Sequence, residues 1–96
     1  MPQGYAIFTE KVNDQQAMGA YAKVAVPTAL AAGGKVIVVG PPTDVLEGEW
    51  HGDRTVIIEF PSVEAARDWY HSPEYQAVIG QRFAAAESNA VILGGV

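Results

Sequence analysis

Glu59 is the carboxyl group whose position best suits acid–base chemistry. It lies beside Ile58 and Phe60 in an apolar run, and alternation along a strand puts it on the same side as Ile57. Burial of that side would disfavour the charged form of the carboxyl group, as general acid or base catalysis requires. The alternatives are an ion pair with an arginine, or exposure at a sheet edge.

A second polar group precedes this run. Glu47, Glu49 and His51 recur at every second residue, so an extended chain would place them on one face, a spacing suited to metal binding or proton relay. Charges on a short edge strand more often keep that edge soluble, and we predict no metal site and no cofactor. His51 and Arg54, with Glu59, are the predicted catalytic residues, acting on or orienting a small organic acid.

Aromatic and cationic side chains supply the predicted ligand contacts. Phenol rings can line a pocket and orient a small aromatic or apolar molecule, and a guanidinium can bind a carboxylate through two hydrogen bonds. Core packing is the alternative for the rings, and a surface ion pair is the alternative for the arginine. The candidate ligand-binding residues are Tyr5, Tyr21, Trp50, Tyr75 and Arg82.

Composition argues against several other functions. The chain has no cysteine, which excludes disulfides, thiolate metal sites and cysteine nucleophiles. Its formal net charge is −5 and its six Lys and Arg residues are scattered, so we expect no binding to nucleic acid or to anionic membranes. The first residues resemble neither a signal peptide nor a membrane span, and we expect a cytoplasmic location.

Strands and helices must position these candidates. Alternating and β-branched residues predict strands over Gly4–Glu10, Lys35–Gly40, Arg54–Phe60 and Ala90–Leu93. The second strand contains four consecutive β-branched residues, a pattern typical of burial on both faces. A short extended arm is expected over Val45–Trp50.

Helical spacing predicts three helical segments between these strands. They begin at caps formed by Asn13 or Asp14, by Ser62 and by Ser72. Pro27 lies inside the first helix and should kink or restart it. The last segment is expected to bury Tyr75, Val78, Ile79 and Phe83.

This order predicts one α+β domain with a ferredoxin-like βαββαβ fold, a four-stranded antiparallel sheet with the helices on one face. A chain of 96 residues is too short for two domains. Apolar residues occupy both sides of the strands, for example Ile7 on one side and Phe8 on the other. The face without helices would expose a large apolar patch, so we predict a homodimer that covers it. The alternative is a monomer in which residues 41–51 and the last strand cover that face.

Several runs resemble the DUF1330 family, a domain family of unknown function. They are RTVIIEFPS at 54–62, EAARDWY at 64–70, SPEYQ at 72–76, Gly33-Gly34, VLEG at 45–48 with Trp50, and Gly4-Tyr5. The resemblance spans nearly the whole chain and implies the dimeric α+β barrel superfamily, in which two ferredoxin-like sheets face one another. Members of that superfamily include cofactor-independent oxygenases, lactone isomerases and haem-handling enzymes, but a shared fold does not transfer chemistry.

Two functions are consistent with these observations. In the first, the dimer binds or transforms a small acidic or aromatic molecule in a pocket between the sheet and the helices. In the second, the domain is a non-catalytic dimeric structural or interaction module without such a pocket. The superfamily resemblance favours the first, and the sequence leaves open whether the protein is an enzyme.

Overall fold

The structure is a computed structural model that describes residues 2–96. The strands are β1 (Gly4–Val12), β2 (Lys35–Gly40), β3 (Arg54–Phe60) and β4 (Ala86–Gly94), and the helices are α1 (Gln15–Ala31), α2 (Val63–His71), α3 (Pro73–Gln76) and α4 (Ile79–Ala85). The strands form one sheet in the order β2-β3-β1-β4, and all neighbours are antiparallel. The predicted α+β class and ferredoxin-like order are confirmed.

Side-chain caps begin the first helices as predicted. The Asp14 carboxylate accepts a hydrogen bond from the Ala17 amide (3.0 Å), and the Ser62 hydroxyl accepts one from the Ala65 amide (3.0 Å). These bonds satisfy amide groups that have no partner inside the helix. Helix α1 continues through Pro27 without restarting, and this proline is exposed.

The core lies between the helices and one face of the sheet. Ala6 and Phe8 of β1 point toward the helices and are buried with Ile58 and Phe60 of β3. Trp69 of α2 lies at the centre of this core. Its ring centroid is 5.3 Å from that of Phe60, and its indole N–H donates to the Thr28 hydroxyl of α1 (2.9 Å). One side chain therefore ties both long helices to the sheet.

The opposite face of the sheet has no helix over it, and we call it the open sheet face. Cross-strand pairing defines it, because directly paired residues point to the same side. Its apolar members are largely exposed at the edges, with Val38 at 42%, Val91 at 49% and Leu93 at 51%. It comprises Tyr5, Ile7, Thr9, Lys11, Lys35, Val38, Gly40, Thr55, Ile57, Glu59, Glu87, Asn89, Val91 and Leu93.

Several expectations about the strands and loops are wrong. Strand β2 is an edge strand, and its residues Ile37 to Val39 are exposed in the single chain rather than buried on both faces. A register shift between Val36 and Val38 leaves Ile37 without a partner, so β2 contains a β-bulge. Residues 41–50 form no strand and are all exposed, so this segment does not cover the open sheet face. Phe83, expected in the core, is 62% exposed.

Within the described residues, no helix combines the length and the apolar character that crossing a membrane requires.

Gly52 marks a close approach between the loop before β3 and β1. It has φ of +80°, a Cβ here would overlap the carbonyl group of Glu10, and the neighbouring Asp53 amide donates to that carbonyl oxygen (2.9 Å). Gly48 has a similar φ of +71° but no atom within 4 Å of the corresponding Cβ position. Only Gly52 therefore combines a left-handed conformation with a steric requirement.

These two glycines provide a matched test by urea unfolding. Gly48→Ala should lower the free energy of unfolding by about 1 kcal/mol, the cost of a left-handed conformation. Gly52→Ala should lower it by about 3 kcal/mol or more, because the loop must also move away from β1. Equal losses for the two variants would contradict the close approach.

Candidate functional site

Glu10 is a buried carboxyl group on the helix-facing side of the sheet. The alternation that points Ala6 and Phe8 into the core brings Glu10 to the same side, where it is 2% exposed. An ionised carboxylate in such a position is costly unless a partner compensates its charge. The groups around Glu10 therefore determine whether its carboxyl group is ionised or protonated.

Arg54 is the partner of Glu10. The two residues pair across β1 and β3, and the Arg54 Nε lies 3.2 Å from the Glu10 Oε1. Neither of these buried atoms makes a hydrogen bond, so the contact is an ion pair without a directed N–H bond. Buried polar atoms normally have hydrogen-bond partners. The contact compensates the two charges, while the hydrogen-bonding capacity of this carboxyl oxygen and this guanidinium nitrogen stays unfilled.

The protonation of Glu10 reflects the same surroundings. Burial raises the pKa of Glu10 above its ordinary value, and the negative charge of Asp53 acts in the same direction. The charges of Arg54 and Arg82 oppose this effect without cancelling it. Glu10 therefore keeps its proton to higher pH than a free glutamic acid does, which suits a group that donates or accepts a proton in a binding site.

A hydrogen-bonded chain of phenols and a guanidinium continues from this region. The hydroxyl oxygens of Tyr21 and Tyr75 lie 2.7 Å apart, and the Arg82 Nε donates to the Tyr75 hydroxyl (3.2 Å). Arg82 is 2% exposed, and its guanidinium carbon lies 5.0 Å from the centre of the Phe8 ring. The surface ion pair considered for Arg82 is wrong, because a phenol and an aromatic face take the place of water around its charge. Burial, with the adjacent Tyr75, raises the pKa of Tyr21, which stays a neutral hydroxyl.

Glu10, Arg54 and Tyr21 line a cavity between α1 and the sheet. Its volume is about 60 Å³, well below the roughly 150 Å³ of an engineered cavity that accepts benzene. The cavity therefore suits a group of a few atoms, such as a carboxylate with a short carbon chain. Most of the remaining wall is apolar and includes Val26, Val36, Val39, Val56, Ile58 and Trp69.

Glu59 lies on the open sheet face, across the sheet from this cavity. Its carboxylate accepts a hydrogen bond from the Tyr5 hydroxyl (3.1 Å), and the two residues are direct partners across β1 and β3. Both side chains are half-buried. The structure therefore pairs two predicted site residues, Glu59 and Tyr5, but separates Glu59 from Arg54.

His51 lies at the opposite end of the open sheet face. Its Nδ1 is 2.8 Å from the Thr9 hydroxyl, and its Nε2 is 3.7 Å from the Glu87 carboxylate. The neighbouring Trp50 is half-exposed and donates its indole N–H to the Thr55 hydroxyl (2.9 Å). Among residues 2–96, no three His, Asp or Glu side chains are grouped to bind a metal ion, and Glu47 and Glu49 are exposed.

The predicted catalytic residues therefore do not share one cavity. Arg54 contributes to the cavity wall, whereas Glu59 and His51 lie on the other side of the sheet at opposite ends, and their catalytic roles stay predictions. Of the predicted ligand-binding residues, Tyr21, Tyr75 and Arg82 form one cluster. Tyr5 lies on the open sheet face, and Trp50 lies in the loop before β3, where it donates to Thr55 at the edge of that face.

Sequence reasoning missed Glu10 as a site residue. The period of two that runs through Ala6 and Phe8 also includes Glu10, which points it toward the core. That alternation was a sufficient signal for its side of the strand. Its pairing with Arg54 depends on the register between β1 and β3, which the sequence alone does not specify.

Solved structures share this fold at low sequence identity. A protein of unknown function from Rhodopseudomonas palustris is 24% identical, with a TM-score of 0.80 and coverage of 99% of this chain and 83% of that one. A dimeric ferredoxin-like protein of unknown function from Jannaschia sp. is 17% identical (TM-score 0.69, coverage 95% and 97%). SnoaB, a cofactor-independent oxygenase from Streptomyces nogalater, is 11% identical (TM-score 0.71, coverage 97% and 92%). These likenesses establish the fold.

The sequence itself matches one family. The model of the family described as domain of unknown function (DUF1330) matches residues 3–96. No match was found among curated proteins.

The raised pKa of Glu10 has a measurable consequence for stability. Because the folded chain holds this proton more tightly than the unfolded chain, the free energy of unfolding should fall as the pH rises from about 4.5, the ordinary value, through the raised pKa. Glu10→Gln should remove this part of the pH dependence. Urea unfolding from pH 4 to pH 8 measures it.

Glu49→Gln is the matched control, because Glu49 is exposed. It should leave the pH dependence of the wild-type protein in place. Parallel curves for the wild type and Glu10→Gln would show that burial does not shift the protonation of Glu10.

Proposed function

The chain belongs to the DUF1330 family, and we propose that it is a homodimer whose subunits each bind a small organic acid in the cavity between α1 and the sheet. One observation carries this proposal. A carboxyl oxygen of Glu10 and the Nε of Arg54 are buried beside each other without hydrogen bonds, and both residues line the cavity.

The charges around the cavity favour an anion. Two guanidinium groups, Arg54 and Arg82, act on the single carboxyl group of Glu10, and the negatively charged Asp53 is exposed and bound to the Val12 amide. When Glu10 is protonated, this cluster carries excess positive charge in an environment that excludes much of the water. A carboxylate ligand would supply the missing negative charge and pair with Arg54.

The protonated form of Glu10 also offers a hydrogen-bond donor. Its O–H can donate to one oxygen of a bound carboxylate while Arg54 binds the other. The valine side chains of the cavity would contact the carbon chain of the ligand, and the volume of about 60 Å³ limits that chain to a few carbons. The proposed ligand is therefore a short-chain carboxylic acid.

Proton transfer is the reaction that this arrangement supports. Glu10 can exchange a proton with a bound acid, and Tyr21 lies in the same cavity wall. The description of SnoaB as a cofactor-independent oxygenase shows that the fold accommodates catalysis without a cofactor. The structural likeness to SnoaB supports an enzymatic reaction in this protein, and the buried charges of Glu10 and Arg54 support the binding of an acid.

The open sheet face supports the homodimer. Exposed Val38, Val91 and Leu93 flank half-buried Ile7 and Ile57 on one continuous side of the sheet. Exposed apolar side chains grouped on one side of a sheet are typical of a protein interface. Similar structures from Jannaschia sp. and Thermobifida fusca are described as dimeric. In such a dimer Glu59 and His51 would lie at the subunit interface, where their predicted roles would have to act.

Binding of propionate tests the cavity. NMR titration should detect shifts in the amides of Glu10 and Val56, and affinity should fall as the pH rises through the raised pKa of Glu10, because an ionised Glu10 repels the ligand. Arg54→Gln should weaken binding about tenfold, since a hydrogen bond to a charged group is lost.

Lys35→Gln is the control, because Lys35 is an exposed cation on the neighbouring strand. It should leave the affinity unchanged. Failure of propionate to bind at pH 5, with the fold intact, would exclude the cavity as an acid site and favour the non-catalytic dimeric module.

Light scattering tests the dimer with two valines of similar exposure. Val91, on the open sheet face, is 49% exposed, and Val24, on α1, is 41% exposed. The wild-type protein should have twice the chain mass of 10.2 kDa. Val91→Glu should yield monomers, because it buries a charge at the interface, and Val24→Glu should stay dimeric. A monomeric wild type at micromolar concentration would overturn the dimer.

A further inference from the structure

We infer that the groove between α2 and β4 is a second binding site, which takes an organic anion with a carboxylate and a ring-sized apolar body. The groove has a volume of about 340 Å³, within the range of roughly 300 to 1,000 Å³ typical of small-molecule sites. Its lining belongs to the helix-facing side of the sheet and to α2, apart from Val91, which pairs with Ile7 of the open sheet face. The proposed dimer, formed through the open sheet face, would leave it accessible.

The floor of the groove is apolar because α2 does not fully cover the edge strand. Ala90 and Ile92 of β4 pair with Phe8 and Ala6 of β1, so all four point to the helix-facing side. Phe8 and Ala6 are buried, whereas Ala90 is exposed and Ile92 is half-buried. A small residue at position 90 leaves space there that a larger side chain would fill.

The wall of the groove is basic. Arg67 and His71 lie four residues apart on α2, which places them on one side of the helix, one turn apart. Both are exposed, and the ring of Tyr70 lies against that of His71 with centroids 5.2 Å apart. The groove has no acidic residue in its lining, and within residues 2–96 Arg67 has no carboxylate oxygen within 4 Å.

These features favour one kind of occupant. The guanidinium of Arg67 can bind a carboxylate through two hydrogen bonds, and the apolar floor with the Tyr70 ring suits a flat hydrocarbon body. A second copy of the chain that docked symmetrically through this groove would bring two cationic walls together, because the lining has no acidic residue. The ligand is therefore an aromatic or similarly sized carboxylate.

This site is separate from the cavity of Glu10. Phe8 lines both spaces, and it is 3% exposed and held at the edge of the Trp69 ring, with centroids 6.1 Å apart. Its ring therefore divides the two. A ring-sized body is also too large for a cavity of about 60 Å³, so each site selects a different size of acid.

Benzoate and its neutral analogue benzyl alcohol provide the test. In an NMR titration, benzoate should shift the amides of Ala90, Ile92 and His71, and it should bind at least tenfold more tightly than benzyl alcohol. Arg67→Gln should weaken benzoate about tenfold, and Ala90→Leu should abolish binding by filling the floor. Lys23→Gln, which removes an exposed cation on α1, should have no effect.

Three outcomes would overturn the inference. These are equal affinity for benzoate and benzyl alcohol, unchanged affinity in Arg67→Gln, and shifts that map to Glu10 and Arg54 instead of β4. Glu10→Gln should leave benzoate binding unchanged, so loss of the short-chain acid site and loss of the groove site are distinguishable.

Discussion

A four-stranded sheet has two faces, and this chain has helices for only one of them. On the covered face, Trp69 contacts aromatic side chains of the sheet and bonds to α1, which fixes both long helices over β1 and β3. On the other face, apolar and polar side chains are mixed, and no helix of the same chain lies above them. This difference separates the two faces of the domain: the covered face borders a cavity, whereas the uncovered face exposes apolar side chains.

The covered face buries a carboxyl group in a largely apolar core. Glu10 is placed in the core by strand alternation, and Arg54 lies opposite it because of the register of β1 and β3. The ion pair reduces the cost of burying the carboxyl group without providing hydrogen bonds for the atoms involved. Natural protein cores rarely bury polar atoms without hydrogen bonds unless those atoms have a function. The nearby cluster of Tyr21, Tyr75 and Arg82 differs from this ion pair, because its hydroxyl and guanidinium groups are hydrogen-bonded to one another.

Much of the fold could be predicted because it depends on local signals. The cap at Ser62 and the alternation of β3 are properties of a few adjacent residues. The site depends on contacts between distant segments, and there prediction failed in specific ways. Arg82 was predicted to bind a ligand, with a surface ion pair as the alternative, but its guanidinium is buried against the Phe8 ring and donates to the Tyr75 hydroxyl. Phe83 was expected in the core from its helical spacing with Tyr75 and Ile79, but it lies on the exposed side of α4.

The two edges of the sheet differ in a way that bears on self-association. Strand β4 is a regular edge of nine residues, whereas β2 has six residues, is interrupted by the bulge at Ile37 and is followed by Pro41 and Pro42. A bulge and prolines make an edge a poor template for further strands. Growth of a continuous β-ribbon requires two competent edges on every molecule. With one edge blocked, strand addition would stop after two molecules joined through β4, which protects this apolar domain from fibre formation.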